Sequence, residues 1–390
     1  MSTENRWLLP EGIDELLPER AAQLEALRRR LLDQCATWGY RYVIPPLVEF
    51  TDSLLIGLGA DLDVVTCKFT DQMSGRMLGV RADITPQTAR MDAHSLGEEG
   101  VTRLCYAGST LQMTPQSVIS GRAPIQLGAE LFGSSAIEAD SEIIGLMLST
   151  FECAGISRPL TLDIGHIGIY DALFSDAGLD PEMEDQIFDA LQRKSAPDIE
   201  RLSASLPARE AERLEQLVSL HGSSDVLASA RAAFPNEPAV MVALDQLDTV
   251  LAGVQQAFPD VGVYADLTEL RGFRYHTGLV FAVYLEGRGS AIAKGGRYDN
   301  IGAVFGRDRP ATGFAIDLKA LVDDAQQSEA IGVPVIAPQS EDAKLRAAVT
   351  ALRAAGRTVV MDVAPGVDLP NAERLVLSDG EWIIEGSTAS

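Results

Sequence analysis

The first apolar pattern along the chain predicts a helix that runs into extended chain. Four apolar residues recur at helical spacing after Pro18 and Glu19, and Gly39 follows them. Residues three or four positions apart line one face of a helix, and a glycine favours its end. Residues 40–48 then become β-like around two prolines. The buried face of this helix should consist of Leu24, Leu27, Leu31 and Cys35.

Short strands are predicted on both sides of a long helical region. Residues 68–85 have the pattern of a β-hairpin with a turn at Ser74-Gly75. Residues 171 to about 255 are instead rich in Ala, Leu, Glu and Arg, which favours a helical insertion. We expect a further helix from about residue 314 to 322. The other predicted strands are 102–107, 124–132, 261–267, 278–285 and 290–294.

The end of the chain predicts a small α/β unit after a polar linker at residues 323–330. An apolar strand at 333–337 precedes a helix that Gly356 ends, and a second strand follows at 358–362. One face of that helix carries Leu345, Val349 and Leu352. We therefore expect two domains, a core at 1–325 that includes the insertion and a small C-terminal α/β domain at 331–390.

Composition and charge narrow the class of protein. The chain has 390 residues, of which 46% are apolar, and this is enough for a sizeable core. Its 32 basic and 56 acidic residues give a formal net charge of −24. Such a surface repels phosphate backbones and offers few of the lysines and arginines whose counterion release drives nucleic-acid binding. We therefore expect no nucleic-acid partner.

The cysteines and the apolar runs indicate a reducing compartment. The cysteines are far apart and lack the paired spacing of a zinc knuckle or a disulfide framework. No two histidines stand at metal-ligand spacing, and no run approaches the roughly 18 to 20 apolar residues that span a bilayer. We expect a cytoplasmic protein without a metal, a cofactor or a membrane span. The cysteines are Cys35, Cys67, Cys105 and Cys153.

Several short motifs follow one another in a fixed order. They are Gly39-Tyr40 with Pro45-Pro46, Arg81-Ala82-Asp83-Ile84-Thr85, Gly121-Arg122 with Gln126 and Glu130, Leu270-Arg271-Gly272 with Tyr275, Gly295-Gly296-Arg297-Tyr298-Asp299, and Gly313-Phe314-Ala315. In this order and spacing they resemble the core of class II histidyl-tRNA synthetases over roughly residues 8 to 325. The resemblance is closest to the synthetase paralogues that serve as regulatory subunits of ATP phosphoribosyltransferase, the first enzyme of histidine biosynthesis.

The resemblance implies an α+β fold of the class II aminoacyl-tRNA synthetase type. Its mixed, mainly antiparallel sheet would be flanked by helices, with a helical insertion and a small C-terminal α/β unit, in a two-fold dimer. In the synthetases a larger C-terminal domain reads the tRNA anticodon. Residues 331–390 are too short and too poor in basic residues for that work. We expect them to stabilise the core or to contact a partner.

The chain departs from the synthetases where ATP would react. Adenylation holds an amino-acid carboxylate against the α-phosphate of ATP, which needs arginine and Mg²⁺ while charge builds up. By the resemblance, the ATP-contacting arginine of the second motif falls at Leu111 and the nearby acid at Met113. In the third motif Asp317 replaces a small glycine, and Ala320 replaces a phosphate-binding arginine, with Lys319 one position earlier. Losing one such donor typically costs about 3 to 4 kcal/mol, so we expect no catalytic residues.

The residues that would bind free histidine are largely kept. By the resemblance, Arg271 would bind the carboxylate, because a guanidinium makes two parallel hydrogen bonds to it. Tyr106, Tyr275 and His276 would face the imidazole. His276 stands where the synthetases carry a second tyrosine, and Arg274 replaces an acid. The residues on the ammonium side would be Asp83, Thr85, Gln126 and Glu130.

Several of these residues also suit purely structural roles. Asp83 could cap a helix that begins at Thr85-Pro86. Arg81 and Arg271 could pair with structural carboxylates. The glycines of the Gly-Gly-Arg-Tyr-Asp stretch lack phosphate-loop spacing and suit close packing of the backbone. Structural or surface roles are expected for His94, His166 and His221.

The sequence predicts a non-catalytic, histidine-sensing regulatory subunit. Its partner would be the short catalytic form of ATP phosphoribosyltransferase, which condenses ATP with phosphoribosyl pyrophosphate. The chain would be needed for that activity and for feedback inhibition by histidine, as a homodimer within a hetero-oligomer. Two alternatives stay open. A histidine-activating ligase that has lost tRNA recognition is opposed by Leu111, Met113 and Ala320, and an RNA-binding sensor is opposed by the net charge.

Overall fold

The chain forms two compact units, Met1–Gln326 and Gln327–Ser390, and each has its own hydrophobic core. The structure, a computed structural model, describes residues 7–55, 59–114, 121–270, 275–326, 332–363, 369 and 371–385. Within those ranges, no helix combines the length and the apolar character that crossing a membrane requires.

Twelve α-helices of the described chain belong to the first unit and one to the second. In chain order they are α1 (Pro18–Thr37), α2 (Thr51–Leu54), α3 (Gly59–Val65), α4 (Thr85–Arg90), α5 (Ile137–Ala154), α6 (Ile167–Phe174), α7 (Pro181–Gln192), α8 (Ala196–Ser203), α9 (Ala208–Leu217), α10 (Val226–Ala233), α11 (Pro238–Ala257), α12 (Leu318–Leu321) and α13 (Ala343–Ala354). A π-helix, Met91–Leu96, extends α4.

The strands divide between the two units in the same way, with the last four in the second. In chain order they are β1 (Arg41–Tyr42), β2 (Val48–Phe50), β3 (Cys67–Thr70), β4 (Met77–Val80), β5 (Thr102–Ser109), β6 (Ile125–Phe132), β7 (Leu160–His166), β8 (His221–Gly222), β9 (Gly262–Asp266), β10 (Leu279–Leu285), β11 (Ala293–Arg297), β12 (Ala311–Asp317), β13 (Val335–Ala337), β14 (Val359–Met361), β15 (Glu373–Ser378) and β16 (Glu381–Ile384).

A mixed, mainly antiparallel sheet organises the first unit, as the family resemblance implies. Its order is β1-β5-β6-β12-β11-β10-β7-β9-β8. Within this sheet, only the β1/β5 and β7/β9 pairs of the described strands are parallel. The hairpin predicted at 68–85 is confirmed as β3 and β4, which form a separate small sheet with β2.

Helix α1 shows why the apolar spacing near the N-terminus predicts the structure correctly. Pro18 occupies the first turn, where its missing N–H costs nothing, and Gly39 lies just past the end with φ +84°. The predicted face is buried against α5 and the sheet, in one continuous core with α6 to α11. The four buried residues are Leu24, Leu27, Leu31 and Cys35.

The helix predicted at about 314–322 is wrong over residues 314–317 and confirmed over residues 318–321. Residues 311–317 form β12, a central strand that pairs with β6 on one side and β11 on the other. A central strand is apolar on both faces, so its short run cannot be told from a helix by spacing alone. A helix begins only after Asp317, whose side chain accepts a hydrogen bond from the Lys319 N–H. Strand β11 also begins three residues later than predicted, at Ala293.

The register of the sheet places two rows of residues side by side on one face, and six of these ten residues are glycine or alanine. Directly opposed residues share a face, and positions two apart on a strand do too. One row is Gly128, Ala315, Lys294, Ala282 and Asp163. The next row is Glu130, Gly313, Gly296, Val280 and Gly165. Because many of these residues have small side chains or none, this face of the sheet forms the floor of a cavity.

The second unit is a four-stranded sheet in the order β14-β13-β15-β16 with α13. The predicted strand, helix and second strand are all confirmed, and Gly356 follows the helix with φ +80°. The hairpin of β15 and β16 was not predicted. Its two-residue turn is Asp379-Gly380, both with positive φ, which is a strong hairpin signal in the sequence.

Candidate functional site

The floor described above lies under a cavity of about 600 Å³. Cavities of roughly 300 to 1,000 Å³ are the usual size for small-molecule sites, so this one exceeds the needs of a single amino acid. One end is lined by Asp83, Thr85, Gln126, Glu130 and Tyr275, which we name the amino-acid end. The other end includes Gln112, Asp317 and Ala320, which we name the nucleotide end after the family resemblance.

Glu130 is the centre of the amino-acid end. It is fully buried on β6, and its carboxylate accepts hydrogen bonds from three hydroxyls. Thr85 Oγ1 and Tyr106 OH both donate to Oε1 at 2.9 Å, and Tyr298 OH donates to Oε2. Gly313, directly opposite, leaves no room for a side chain beside this carboxylate. The carboxylate is therefore held rigidly in place.

Burial makes Glu130 hard to ionise. Removal from water raises its pKa from the ordinary 4.5 to about 8, although the hydrogen bonds from Tyr298, Thr85 and Tyr106 lower it. The nearby carboxylate of Asp83 raises it further. A cation bound beside Glu130 would favour its charged form.

A second polar group joins β6 to the start of α4. Gln126 Nε2 donates to Asp83 Oδ1 at 2.7 Å, and Gln126 Oε1 accepts from the Ile84 N–H at 2.9 Å. Asp83 Oδ1 also accepts from the Thr85 N–H at 3.1 Å. Asp83 thus bonds to the first N–H of α4 from one residue before the N-cap position, which is Ile84, and it also lines the cavity. The two roles are compatible.

Aromatic rings form the wall opposite. The Tyr275 and Tyr298 rings stack with centroids 5.2 Å apart, and His276 meets Tyr275 edge-on at 5.1 Å. The buried hydroxyl of Tyr275 has no hydrogen-bond partner among the described residues. An unpaired buried hydroxyl costs about 1 to 3 kcal/mol, so a ligand that bonds to it would recover that free energy.

The structure describes seven of the eight predicted histidine-binding residues and brings them together. One of these seven, Tyr106, does not line the cavity. It lies behind Glu130 and Thr85, because its place on β5 puts its hydroxyl between them. The eighth predicted residue, Arg271, lies outside the described residues, as does Arg274, so six of the eight line the described cavity. Tyr298 was missed as a site residue, although the Gly-Gly-Arg-Tyr-Asp motif contains it. The six predicted residues that line the cavity are Asp83, Thr85, Gln126, Glu130, Tyr275 and His276.

The side chains that we assign to the nucleotide end are neutral or acidic, although the lining of the whole cavity also includes Lys294 and Arg288, which is paired with Asp324. Gln112 lines the cavity, whereas its neighbours Leu111 and Met113 do not, so the side chain that faces the cavity here is an amide. Asp317 and Ala320 also line it, while the Lys319 ammonium is bound to Asp14 at 2.7 Å. Burial raises the pKa of Asp317 to about 6.

Arg81 is a structural arginine. Its guanidinium donates to the carbonyls of Ser109 at 2.9 Å and Pro45 at 2.8 Å, rather than to the carboxylates expected for a structural role. Burial lowers its pKa. Two of the histidines named in the sequence fit structural roles as well, because His166 caps α6 and bonds to Gln246, and His221 bonds to Tyr264. His94 is exposed, which fits the expected surface role.

Three carboxylates, Asp163, Asp266 and Glu269, lie close enough together to share one cation. Asp266 is already occupied, because Lys194 Nζ lies 2.6 Å from its Oδ2 and Thr268 donates to its Oδ1. This group therefore acts first as an anchor between the end of α7 and the segment after β9.

Two sequence models match separate parts of the chain. That of the histidyl-tRNA synthetases matches residues 12–321, and that described as the ATP phosphoribosyltransferase subunit HisZ C-terminal domain matches residues 333–385. The ATP phosphoribosyltransferase regulatory subunit of Marinobacter nauticus is 47% identical over 392 residues, which cover 99% of each chain. That of Pseudomonas aeruginosa is 49% identical over 389 residues, which cover 98% of each.

Solved structures show the same similarity. A Bacillus halodurans protein described as an ATP phosphoribosyltransferase regulatory subunit/histidyl-tRNA synthetase has a TM-score of 0.80 at 27% identity, covering 94% of this chain and 95% of its own. The histidyl-tRNA synthetase of Nostoc has a TM-score of 0.75 at 16% identity, covering 95% and 91%, and supports the fold alone. The chain belongs to the family of ATP phosphoribosyltransferase regulatory subunits.

Proposed function

We propose that this chain senses histidine and regulates the short catalytic form of ATP phosphoribosyltransferase. The observation that carries the proposal is a single cavity with two unlike ends. The amino-acid end keeps a buried, preorganised polar wall, whereas Gln112, Asp317 and Ala320 line the nucleotide end. Family membership supports the regulatory role, and the lining of the cavity supports histidine as the effector.

The amino-acid end suits the ammonium and the ring of histidine. Asp83 and Glu130 offer carboxylates for the ammonium group, and Gln126 and Thr85 hold them in place. The unpaired hydroxyl of Tyr275 supports a polar ring against the aromatic wall. The carboxylate of histidine is assigned to Arg271, which lies outside the described residues, on the sequence resemblance alone.

The nucleotide end is unsuited to ATP. A triphosphate needs cations, and the arginine that lines the described cavity, Arg288, is already paired with Asp324. Asp317 has a carboxylate oxygen that is buried without a hydrogen-bond partner among the described residues. Bringing phosphate charge beside it would add repulsion in a medium of low dielectric constant. A sensor that binds histidine without activating it needs such a site.

We further propose that the chain forms a homodimer within the hetero-oligomer, in the cytoplasm, with neither nucleic acid nor a membrane as partner. Apolar side chains are exposed around β1 and on the hairpin of β3 and β4, with Ile44 75% exposed. Where exposed apolar side chains form a patch, they often mark a protein contact, and these are the residues we propose for one. The residues are Tyr42, Ile44, Leu47, Phe69 and Met77.

Mixing this chain with the short phosphoribosyltransferase should produce a larger complex with higher activity than the catalytic chain alone. Free histidine should then inhibit the complex, because a difference in histidine affinity between active and inactive assemblies shifts their balance by typically ~1 to 3 kcal/mol. Size-exclusion chromatography and initial rates measure both effects. An unchanged elution volume together with unchanged turnover would refute the partner assignment.

Replacing Arg271 with alanine should weaken histidine binding by ~30- to 150-fold, because losing a charged donor to a carboxylate costs about 2 to 3 kcal/mol. Glu130→Gln should weaken it less, since the amide keeps one acceptor. Calorimetry measures the affinities, and inhibition of the reconstituted complex measures the response. The matched control is Arg29→Ala, an exposed arginine on α1 whose loss should change neither. Normal inhibition with a folded Arg271→Ala chain would place the sensor site elsewhere.

A further inference from the structure

Two charged residues from distant parts of the sequence, Asp92 and Arg309, form a buried ion pair outside the cavity. Asp92 lies on the π-helix that extends α4, and Arg309 lies two residues before β12. Arg309 Nη1 is 2.9 Å from Asp92 Oδ1 and 3.0 Å from Oδ2. The exposed fraction is 1% for Asp92 and 8% for Arg309. Neither residue lines the described cavity, so neither can touch a ligand there.

Arg309 also holds the loop that follows the π-helix. Its Nη1 donates to the carbonyl oxygen of Glu98 at 3.1 Å, and its Nη2 donates to that of Gly100. The guanidinium fits because residue 133, just after β6, is a glycine, and an added Cβ there would overlap Arg309 Nη2. Three acceptors fix the orientation of a planar guanidinium as well as its distance. The π-helix and its loop are therefore held in one orientation at the start of β12.

The other end of the same helical segment forms part of the amino-acid end. Thr85, the first residue of α4, donates from Oγ1 to Glu130 Oε1 at 2.9 Å. Between the two ends, Ala89 is buried in a small hydrophobic core that also contains Tyr298. Helix α4 has six residues and its π-helical extension has six more, and isolated helices this short are marginal in water. Tertiary contacts at Asp92 therefore help to decide where Thr85 lies.

We propose that Asp92 and Arg309 are positioning residues for the amino-acid end, because their ion pair sets where α4 presents Asp83 and Thr85. This inference rests on the proposed function, in which an amino acid binds between those two residues and Glu130. The pair acts on the ligand only through α4. A π-helical segment at this place fits the proposal, since such segments are rare and frequently occur at functional sites.

A buried ion pair can also serve stability alone, and the two roles predict different results. Removing one partner leaves a buried charge unpaired and destabilises the fold, whereas replacing both partners with apolar side chains of similar volume often restores stability. Apolar side chains cannot reproduce the directed hydrogen bonds to Glu98 and Gly100. The double variant Asp92→Leu/Arg309→Met therefore separates stability from positioning.

The test measures urea unfolding and calorimetric histidine binding for the full-length wild-type chain, for Arg309→Met and for the double variant. Arg309→Met should unfold at lower urea concentration and should bind histidine about tenfold more weakly, as expected when one hydrogen bond of the site is lost. The double variant should recover most of the stability but keep the weak binding. Arg213→Met is the matched control, because it breaks another buried arginine–carboxylate pair, with Glu237 in the helical insertion. It should lower stability without changing the affinity for histidine.

A double-mutant cycle with Thr85→Val tests whether the pair acts through α4. Thr85→Val should weaken histidine binding in the wild-type chain, because it removes the hydroxyl that bonds to Glu130. In the Arg309→Met chain the same substitution should weaken binding much less, because that bond is already disturbed. Fully additive losses of affinity would show that the pair does not position Thr85.

The outcomes separate this inference from the proposed function. If the wild-type chain does not bind histidine, the proposed function is wrong and the positioning role falls with it. If the wild-type chain binds histidine and a folded Arg309→Met chain or double variant binds it equally well, only the positioning role is wrong. Arg309→Lys gives the same comparison if the double variant does not fold, because lysine keeps a cation beside Asp92 but lacks the planar fork that reaches Glu98 and Gly100.

Discussion

Replacing Gly313 with alanine is expected to lower the free energy of unfolding by about 2 to 4 kcal/mol and to abolish histidine binding. The new methyl group would overlap the Glu130 carboxylate and lie 2.8 Å from the carbonyl oxygen of Ala129. The carboxylate would have to leave the hydroxyls of Thr85, Tyr106 and Tyr298 without their acceptor. Urea unfolding measures the stability, and calorimetry measures the binding.

The matched control for this substitution is Gly253→Ala. Gly253 lies on an exposed turn of α11, and nothing is within 4 Å of where its Cβ would be. Alanine there should raise stability by up to ~1 kcal/mol, because glycine is a poor helix former. A Gly313→Ala chain as stable as the wild type would show that Glu130 can move freely, and the rigid wall described above would then be wrong.

Stability of the ligand-free chain should fall as pH rises from about 5 to about 8.5, and Glu130→Gln should remove much of that fall. The pKa of Glu130 is raised in the folded chain, from 4.5 to about 8. The folded state therefore binds more protons than the unfolded state in this window. Its stabilising contribution is complete below pH ~4.5 and is lost as pH rises through ~8, an effect on the order of 3 to 5 kcal/mol.

The difference between wild-type and Glu130→Gln unfolding curves isolates this contribution. Asp317, whose pKa is also raised, to about 6, is present in both chains and cancels. Urea titrations at each pH give the two free energies. Parallel pH profiles for the two proteins would mean that Glu130 is already ionised at neutral pH in the folded chain.

The elements that the sequence predicts correctly are those whose pattern is local. Helix α1 has one apolar face and a terminal glycine, and the hairpin of β3 and β4 has alternation and a Ser-Gly turn, so each can be predicted without its surroundings. Strand β12 cannot, because its neighbours β6 and β11 decide its conformation. The extent of 40–48 was also overestimated, since only Arg41–Tyr42 and Val48–Phe50 pair with other strands.

Most residues of the candidate site could be predicted from the sequence. Which of them line the cavity and which lie behind that lining could not. Asp83, Gln126 and Glu130 are assigned because they match the family's positions and suit an ammonium group by charge and polarity, and all three line the cavity. Tyr106 was expected at the surface of the site, yet the pairing of β5 with β6 sets it behind Glu130. Tyr298 was overlooked for the opposite reason, since its contact with Glu130 joins residues that are far apart in sequence.

The position of the floor within the sheet has a consequence for how a signal could leave the site. Strands β6, β12, β11 and β10 each have a hydrogen-bonded neighbour on both sides. Amides in such strands exchange with solvent only through the largest openings of a protein, whereas rim segments open at far lower free energy. Binding at this floor would therefore leave its slow-exchanging amides nearly unchanged. Ligand binding would instead change the free energy of local unfolding in the segments at the rim of the cavity, where strands end and the chain turns.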